Sequence, residues 1–499
     1  MHRPIAADIV RLAWPIWISQ IAIIANGVID TVMAGRYGTL DLAAVGIGTS
    51  VYVTLFVTLM GVLFAITPTV AQLQGAGRHA EIGEEVRQIV WLALGLAAVS
   101  VAALTHPGPL LELSALAPDV EAKTRAYLDA IAWGVPAALA SRVFQGFSTA
   151  ISRPRVVMAL NLAALALKVP LNWVFMYGKL GLPELGGAGC AAATSTIAWL
   201  TCAAAWTWCR FERDYARYRV FARWSWPRWR AQWQLASLGV PIGATFFVDV
   251  TAFTFMALFI ARFGALYSGA HQIAANVAAL AFMLPLAIGN AAAVLVGQAL
   301  GARGPGRARA IGMTALAIGL GCGLAVGATL LLAAAPLVRL YTSDVAVREL
   351  AATLLAFVAV YHVFDAVQIV VVSVLRGYRH AFVPMLVFGV ALWGVGLGGG
   401  YAIGIAGIGV PAPLAASGFW LAGVVGMALA ATFVTAYFLR VSRSASGARQ
   451  GGRRRAFRAP RRSSPRGTRR ARDRGDRSSA AARRPPCSRP DSPARPGRT

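Results

Sequence analysis

The sequence predicts an all-α polytopic membrane protein, with twelve transmembrane helices in two six-helix lobes related by pseudo-two-fold symmetry. Three observations carry that prediction. Of 499 residues, 57% are hydrophobic and only 13% charged, with a mean hydropathy of +0.61; a soluble domain carries about 25% charged residues. Apolar stretches recur along the chain, and about 20 residues suffice to cross a hydrocarbon core of roughly 30 Å as a helix. Residues 12–76 also align without a gap on residues 238–302 at a shift of 226.

The spans follow from apolar runs between charged or Gly/Pro-rich breaks. The first, 12–34, follows Arg3 and Arg11; it lacks the separate apolar region and small-residue cleavage site of a removable signal, so it is read as retained. The second, 44–68, follows Asp41, read as a helix cap. The third, 88–105, starts after Arg78 and Arg87. The fourth, 127–150, lies between Lys123/Arg125 and Arg153/Arg155. The fifth, 157–178, stops at Lys179. A short loop, LPELGGAG, with Glu184 as a turn or cap residue, leads to the sixth, 188–209.

After a long basic loop come the seventh, 235–261, the eighth, 270–297, and the ninth, 309–332. The tenth, 350–374, the eleventh, 383–406, and the twelfth, 415–439, complete the set. The expected organisation is a first lobe over 1–220, a second over 221–440 and a tail over 441–499. That tail holds 19 Arg, no Lys and three Asp, or +16 of the formal +27. Its composition predicts disorder and attraction to anionic lipid.

Charge alternates between successive loops. One set carries Arg78, Arg87, Arg153, Arg155, seven Arg between 210 and 230, Arg303, Arg307, Arg309, Arg376, Arg379 and the tail. The other carries only Arg36, Lys123, Arg125, Lys179, Arg262, Arg339 and Arg348. Basic loops stay in the cytoplasm, so both termini are expected there, in a bacterial inner membrane. The loop RFERDYARYRVFARWSWPRWRAQW mixes Arg with Trp and Tyr and suits the headgroup surface rather than nucleic acid. The five cysteines show no CxxC or Cys/His spacing, which excludes the usual metal and redox sites.

The repeat carries polar matches that composition alone does not supply. Pro15-Ile16 falls on Pro241-Ile242, and Arg36, Gly38 and Leu40 fall on Arg262, Gly264 and Leu266. Gln72, Gly75 and Ala76 fall on Gln298, Gly301 and Ala302. Six spans separate the copies, so both halves enter the membrane in the same direction. Transporters built from repeats hold their substrate at the repeat interface.

A charge at membrane depth is costly and faces a cavity or a partner. The in-span charges read from the sequence are Asp30, Lys168, Asp249 and Asp365. Asp30 and Asp249 lie in matching spans but seven residues out of register: the same helix face, about 10 Å apart in depth. They therefore have distinct jobs. Asp365, in YHVFDAVQ, shares a face with Tyr361 four residues earlier, and with Asp249 makes a candidate oxygen cluster. Two carboxylates in a poorly hydrated site share a proton or hold a small cation. Lys168 is expected to seek Asp30, the one in-span acid read in its half, while His271 reads as a packing or hydrogen-bonding residue.

NGVIDTVMAG, VAQLQGAGR, PLNWVFMYGKLGLPELGGAGCAAAT, FFVDVTAF, AHQIAAN, YHVFDAVQ followed by LRGYR, and SGFWL together resemble the multidrug and toxic compound extrusion family, in its NorM-like bacterial branch. The resemblance covers about residues 8–440. It implies two lobes opening alternately to either side and a secondary antiporter, not an enzyme. Organic cations or drugs would leave against inward H⁺ or Na⁺, with no further cofactor. It assigns cation coupling to Asp30, Asp249, Asp365 and Tyr361, with Asp249 and Asp365 as Na⁺ ligands if sodium is the ion.

Candidates for the substrate cavity are Asp30, Lys168, Asn172, Gln272 and Asn276, and a monomer in lipid is expected. Two residues depart from the pattern. Asp249 stands where the branch usually has Glu, and Lys168 stands where some relatives have Asn. A fixed positive charge beside Asp30 competes with a proton or a cationic drug for that carboxylate. A lipid-linked saccharide flippase of the same fold superfamily is the alternative; it would need a cationic cavity, whereas acids outnumber bases in these spans.

Overall fold

The computed structural model describes residues 4–457, apart from 114–115, 410 and 412–413; of the side chains at 109, 110, 113 and 446–457 nothing is described. Residues 4–449 form one compact unit, which the last residues of the final helix, 450–457, leave. The last helix, Ala415–Phe457, runs past the tail boundary read at 441. The rest of the tail, 458–499, lies outside the described residues.

Span 1 is Ile5–Tyr37, span 2 Thr39–Gly75, span 3 His79–Thr105, span 5 Pro154–Met176 and span 6 Gly187–Phe211. Span 7 is Trp229–Ala261, span 8 Ala265–Gly301, span 9 Pro305–Leu332, span 10 Val345–Gly377, span 11 Phe382–Gly404 and span 12 Ala415–Ala445. These 11 are long and apolar enough to cross a membrane. Span 4 completes the twelve but comes as two pieces, Pro118–Ala132 and Val135–Ala150, each too short alone. Pro136 causes the break: it lacks an N–H, so the carbonyl four residues earlier loses its helical partner. Span 11 loosens into a π-helix over Val390–Gly398, within a Gly-rich run.

Three apolar clusters hold the fold. One draws mostly on the first lobe, residues 34–220, with Leu235, Leu238 and Ile242 of span 7 and Ala381 joining from the second, and another lies within 252–430 of the second lobe. The third joins Ile9, Leu12 and Ile16 of span 1 to the second lobe through Ile288, Val296, Ile311, Val374 and Phe438. Span 1 thus packs along span 8, and span 7 along span 2, where Gly61 and Gly243 approach so closely that a Cβ on Gly61 would lie 2.6 Å from the Gly243 Cα.

The repeat shows itself most sharply at the Arg-rich end. A Cβ on Gly75 would fall 1.9 Å from the Gln298 carbonyl oxygen, and one on Gly301 would fall 1.9 Å from that of Gln72. Gln72 Nε2 donates to the Gly377 carbonyl at 3.0 Å, across to the second lobe. Its repeat partner Gln298 donates back to the Ala150 carbonyl at 2.8 Å and to Ser152 Oγ at 2.9 Å. This reciprocal contact joins the two lobes at the Arg-rich end, and only glycine permits it. Gly75→Val is expected to pry it open, at an overpacking cost of about 1–3 kcal/mol. The readout is faster amide hydrogen exchange over 66–76 and 295–302; unchanged exchange would refute the contact.

The Arg- and Trp-rich loop after span 6 is clamped rather than simply laid on a surface. Arg87 Nη1 donates to the carbonyls of Arg219 at 3.0 Å and Val220 at 2.8 Å, and Trp91 Nε1 donates to that of Ser225 at 3.0 Å. Glu84 accepts from Arg87 at 2.6 Å and pairs with Arg228 at 3.1 Å. Trp224, Trp226, Trp229 and Trp233 remain exposed beside it.

Candidate functional site

Between the lobes lies a cavity of about 1060 Å³, walled by spans 1, 2, 4, 5 and 6 on one side and 7, 8 and 10 on the other. Asp30, Lys168, Asp249, Gln272, Asn276, Tyr361 and Asp365 all reach its wall. Asn172 does not. It is fully buried behind Asp30, donating from Nδ2 to Asp30 Oδ1 at 2.7 Å, and so positions that carboxylate rather than lining the opening.

Asp30 meets the Lys168 ammonium at 2.8 Å. Lys168 is 2% exposed at its side chain and Asp30 13%, so the pair is nearly dry on the lysine side and open to the cavity on the aspartate side. Lys168 also donates to Thr194 Oγ1 and, at 3.4 Å, to the Cys190 carbonyl, which holds all three ammonium protons in place. The expected Lys168–Asp30 pairing is therefore direct.

The second lobe is arranged differently. Asp365 is buried, with Tyr361 one turn before it on the same face, and Asp249 stands half-buried on span 7. Among the described residues neither carboxylate has an Arg or Lys within ion-pair distance; the nearest cationic candidate is His362, whose Nδ1 lies 3.9 Å from Asp365 Oδ2. Tyr361 is fixed edge-on by Phe253 and Trp420, at centroid distances of 6.4 and 6.0 Å. Beside Asp249, the Val248 carbonyl accepts from Trp393 Nε1 at 3.2 Å, across to the π-helical part of span 11. His271 lines the cavity against Trp420 at 5.9 Å, and its Nδ1 is buried with no partner among the described residues.

Several charges stand elsewhere than the sequence reading put them. Asp41 does not cap its own helix. It accepts from Gly187 N at 2.7 Å, capping span 6, and from Lys123 Nζ at 2.9 Å. Glu184, by contrast, lies in the short loop where it was read, and there accepts from Tyr37 Oη at 2.8 Å. Arg376, read as a loop residue, is buried at the end of span 10, 5.4 Å above the Phe246 ring.

Arg142 was absent from the in-span charges read from the sequence, yet it sits in the second piece of span 4 and lines the cavity. Its signal was present, one Arg three residues before Gln145 inside the apolar window 127–150 read as the fourth span. With it counted, the wall carries Asp30, Asp249 and Asp365 against Lys168 and Arg142.

The MatE family profile matches this chain twice, over residues 15–174 and 241–402. The two starts are 226 residues apart, the shift of the internal alignment. A probable multidrug resistance protein NorM of Aromatoleum aromaticum is 43% identical over 437 residues, covering 88% of this chain and 94% of the relative. Multidrug resistance protein PmpM of Pseudomonas aeruginosa is 36% identical, covering 88% of this chain and 91% of the relative.

Among solved structures, the MATE transporter NorM-NG, solved in complex with a monobody, superposes with a TM-score of 0.74 at 31% identity, covering 87% of this chain and 94% of that one. A MATE in complex with MaD3S reaches 0.81 at 18% identity, a likeness of fold. With the duplicated profile and relatives matched over nearly their whole length, the chain belongs to the MatE family, the multidrug and toxic compound extrusion transporters, in its NorM-like branch.

Proposed function

We propose that this multidrug efflux transporter is a secondary antiporter, expelling cationic amphipathic molecules in exchange for inward protons at Asp365 and Asp249. One observation carries the reading. The second-lobe carboxylates face the cavity without a fixed cation within ion-pair distance among the described residues, whereas Asp30 already has Lys168. A lone negative pair at membrane depth needs a mobile counter-charge. A proton and a lipophilic cation compete for it, which makes the exchange obligatory. Each must also favour a different conformer, since a ligand with equal affinity for both shifts nothing.

The proton is preferred over Na⁺ because Asp249, one methylene shorter than the Glu usual in this branch, makes the weaker Na⁺ ligand. A wall with three carboxylates and two fixed cations suits a cation better than the pyrophosphate of a lipid-linked saccharide. The Arg-rich end is the cytoplasmic face of a bacterial inner membrane, both termini lie there, and the exposed tryptophans of the clamped loop rest in its headgroups.

In proteoliposomes, dye efflux is expected to follow an imposed pH gradient with no Na⁺ present. Efflux driven by a Na⁺ gradient and indifferent to pH would overturn the choice of ion.

A further inference from the structure

Resting on the reading that the cavity binds drugs, we infer that its first-lobe wall holds a second subsite, for an aromatic carboxylate, built from Arg142 over the stacked rings of Tyr52 and Phe56. The two rings are 5.2 Å apart and 22° from parallel, on successive turns of span 2. The Arg142 guanidinium carbon lies 6.0 Å above the Phe56 centroid. Its Nη1 donates to Gln145 Oε1 at 3.0 Å, a neutral acceptor. No carboxylate among the described residues lies within ion-pair distance of it, and its other N–H groups find no acceptor there. All four side chains line the cavity.

Arg142 lies eight residues before the helix end at Ala150, about 12 Å along the axis and so close to mid-bilayer. An arginine there does not lose its proton and is costly without an anion. Lys168 at the same wall is satisfied by Asp30, so Arg142 is the cation left to take one. The ligand that fits has a flat arene to lie on Tyr52 and Phe56 and a carboxylate to take the free guanidinium edge. If it also carries a cation, Asp249 and Asp365 stand on the opposite wall of the same cavity. The cavity is thus polarised for zwitterions, and not only for cations.

A matched dye pair isolates the carboxylate. Rhodamine 6G is the ethyl ester of rhodamine 19; both share one xanthene cation, and only rhodamine 19 has a free carboxylate. Binding is read by fluorescence anisotropy on the full chain in nanodiscs. Arg142→Gln is expected to weaken rhodamine 19 by about tenfold or more, the scale of a charge-assisted hydrogen bond, and to leave rhodamine 6G within about twofold. Arg142→Lys, which keeps the charge but loses the bidentate fork, should fall between, and serves where the Gln variant does not fold. Equal weakening of both dyes, or of neither, overturns the subsite while leaving the efflux reading intact. A wild-type protein that binds neither dye overturns both.

Discussion

Asp365→Asn is expected to bring dye efflux down to the rate of protein-free vesicles, a loss of about 100-fold or more, with unchanged expression and melting temperature. The carboxamide has the size of the carboxylate, so the packing around Tyr361, Phe253 and Trp420 survives. What disappears is the charge. No fixed base holds Asp365 among the described residues, and His362 stands 3.9 Å away. Removing the charge therefore breaks no strong native ion pair, and the stability cost is expected to stay below about 1 kcal/mol.

The effect on exchange is total, because proton and cationic drug both need that negative site, and a transporter without it has nothing to trade. Asp249→Asn gives the contrast. Asp365 remains, so efflux is expected to persist at a reduced rate. Reconstituted transport with an outward dye gradient and an imposed pH step measures both variants. Undiminished efflux by Asp365→Asn would remove that residue from the coupling site.

The spans and three cavity acids were legible because membrane depth makes each charge conspicuous: Asp30, Asp249 and Asp365 stand alone in apolar runs. The pairing of Lys168 with Asp30 was legible for the same reason, as the first half offered few partners. What escaped the sequence depended on contacts distant in the chain. Asp41 sits where its own helix begins, so it read as that helix's cap, although the amide it satisfies is on Gly187. Arg376 precedes Gly377 at a span end and read as solvated, yet span 7 brings Phe246 beneath it. Arg142 was legible in the same way, inside the window read as the fourth span, and went uncounted; what the sequence did not show is that this span breaks at Trp133–Gly134 and turns Arg142 to the cavity. The Gln72 and Gln298 exchange needed both the repeat and the lobe contact; the repeat was visible, the contact was not.

The buried pair of Asp30 and Lys168 is expected to show an asymmetric double-mutant cycle. Removing one partner of a buried ion pair costs about 3–5 kcal/mol, mostly the penalty of leaving the other charge unpaired, while replacing both is close to neutral. Here the two orphans differ. Asp30→Asn strands an ammonium 2% exposed, with only Thr194 and the Cys190 carbonyl beside it, so the full cost applies. Lys168→Met strands a carboxylate that still accepts from Asn172 at 2.7 Å and faces the cavity, so water or a cation relieves it and the cost is roughly half.

Asp30→Asn with Lys168→Met should recover most of the loss, read as melting temperature in nanodiscs. Function separates the variants in the opposite sense. Lys168→Met frees Asp30 from its competitor and should tighten rhodamine 6G by about tenfold, since opposite charges at contact distance are worth several kcal/mol at the effective dielectric of a partly buried site. The double variant, with no charge left to free, should bind as the wild type does. Were Lys168→Met to lose as much stability as Asp30→Asn, with dye affinity unmoved, Asp30 would be a structural anchor that takes no part in holding the dye.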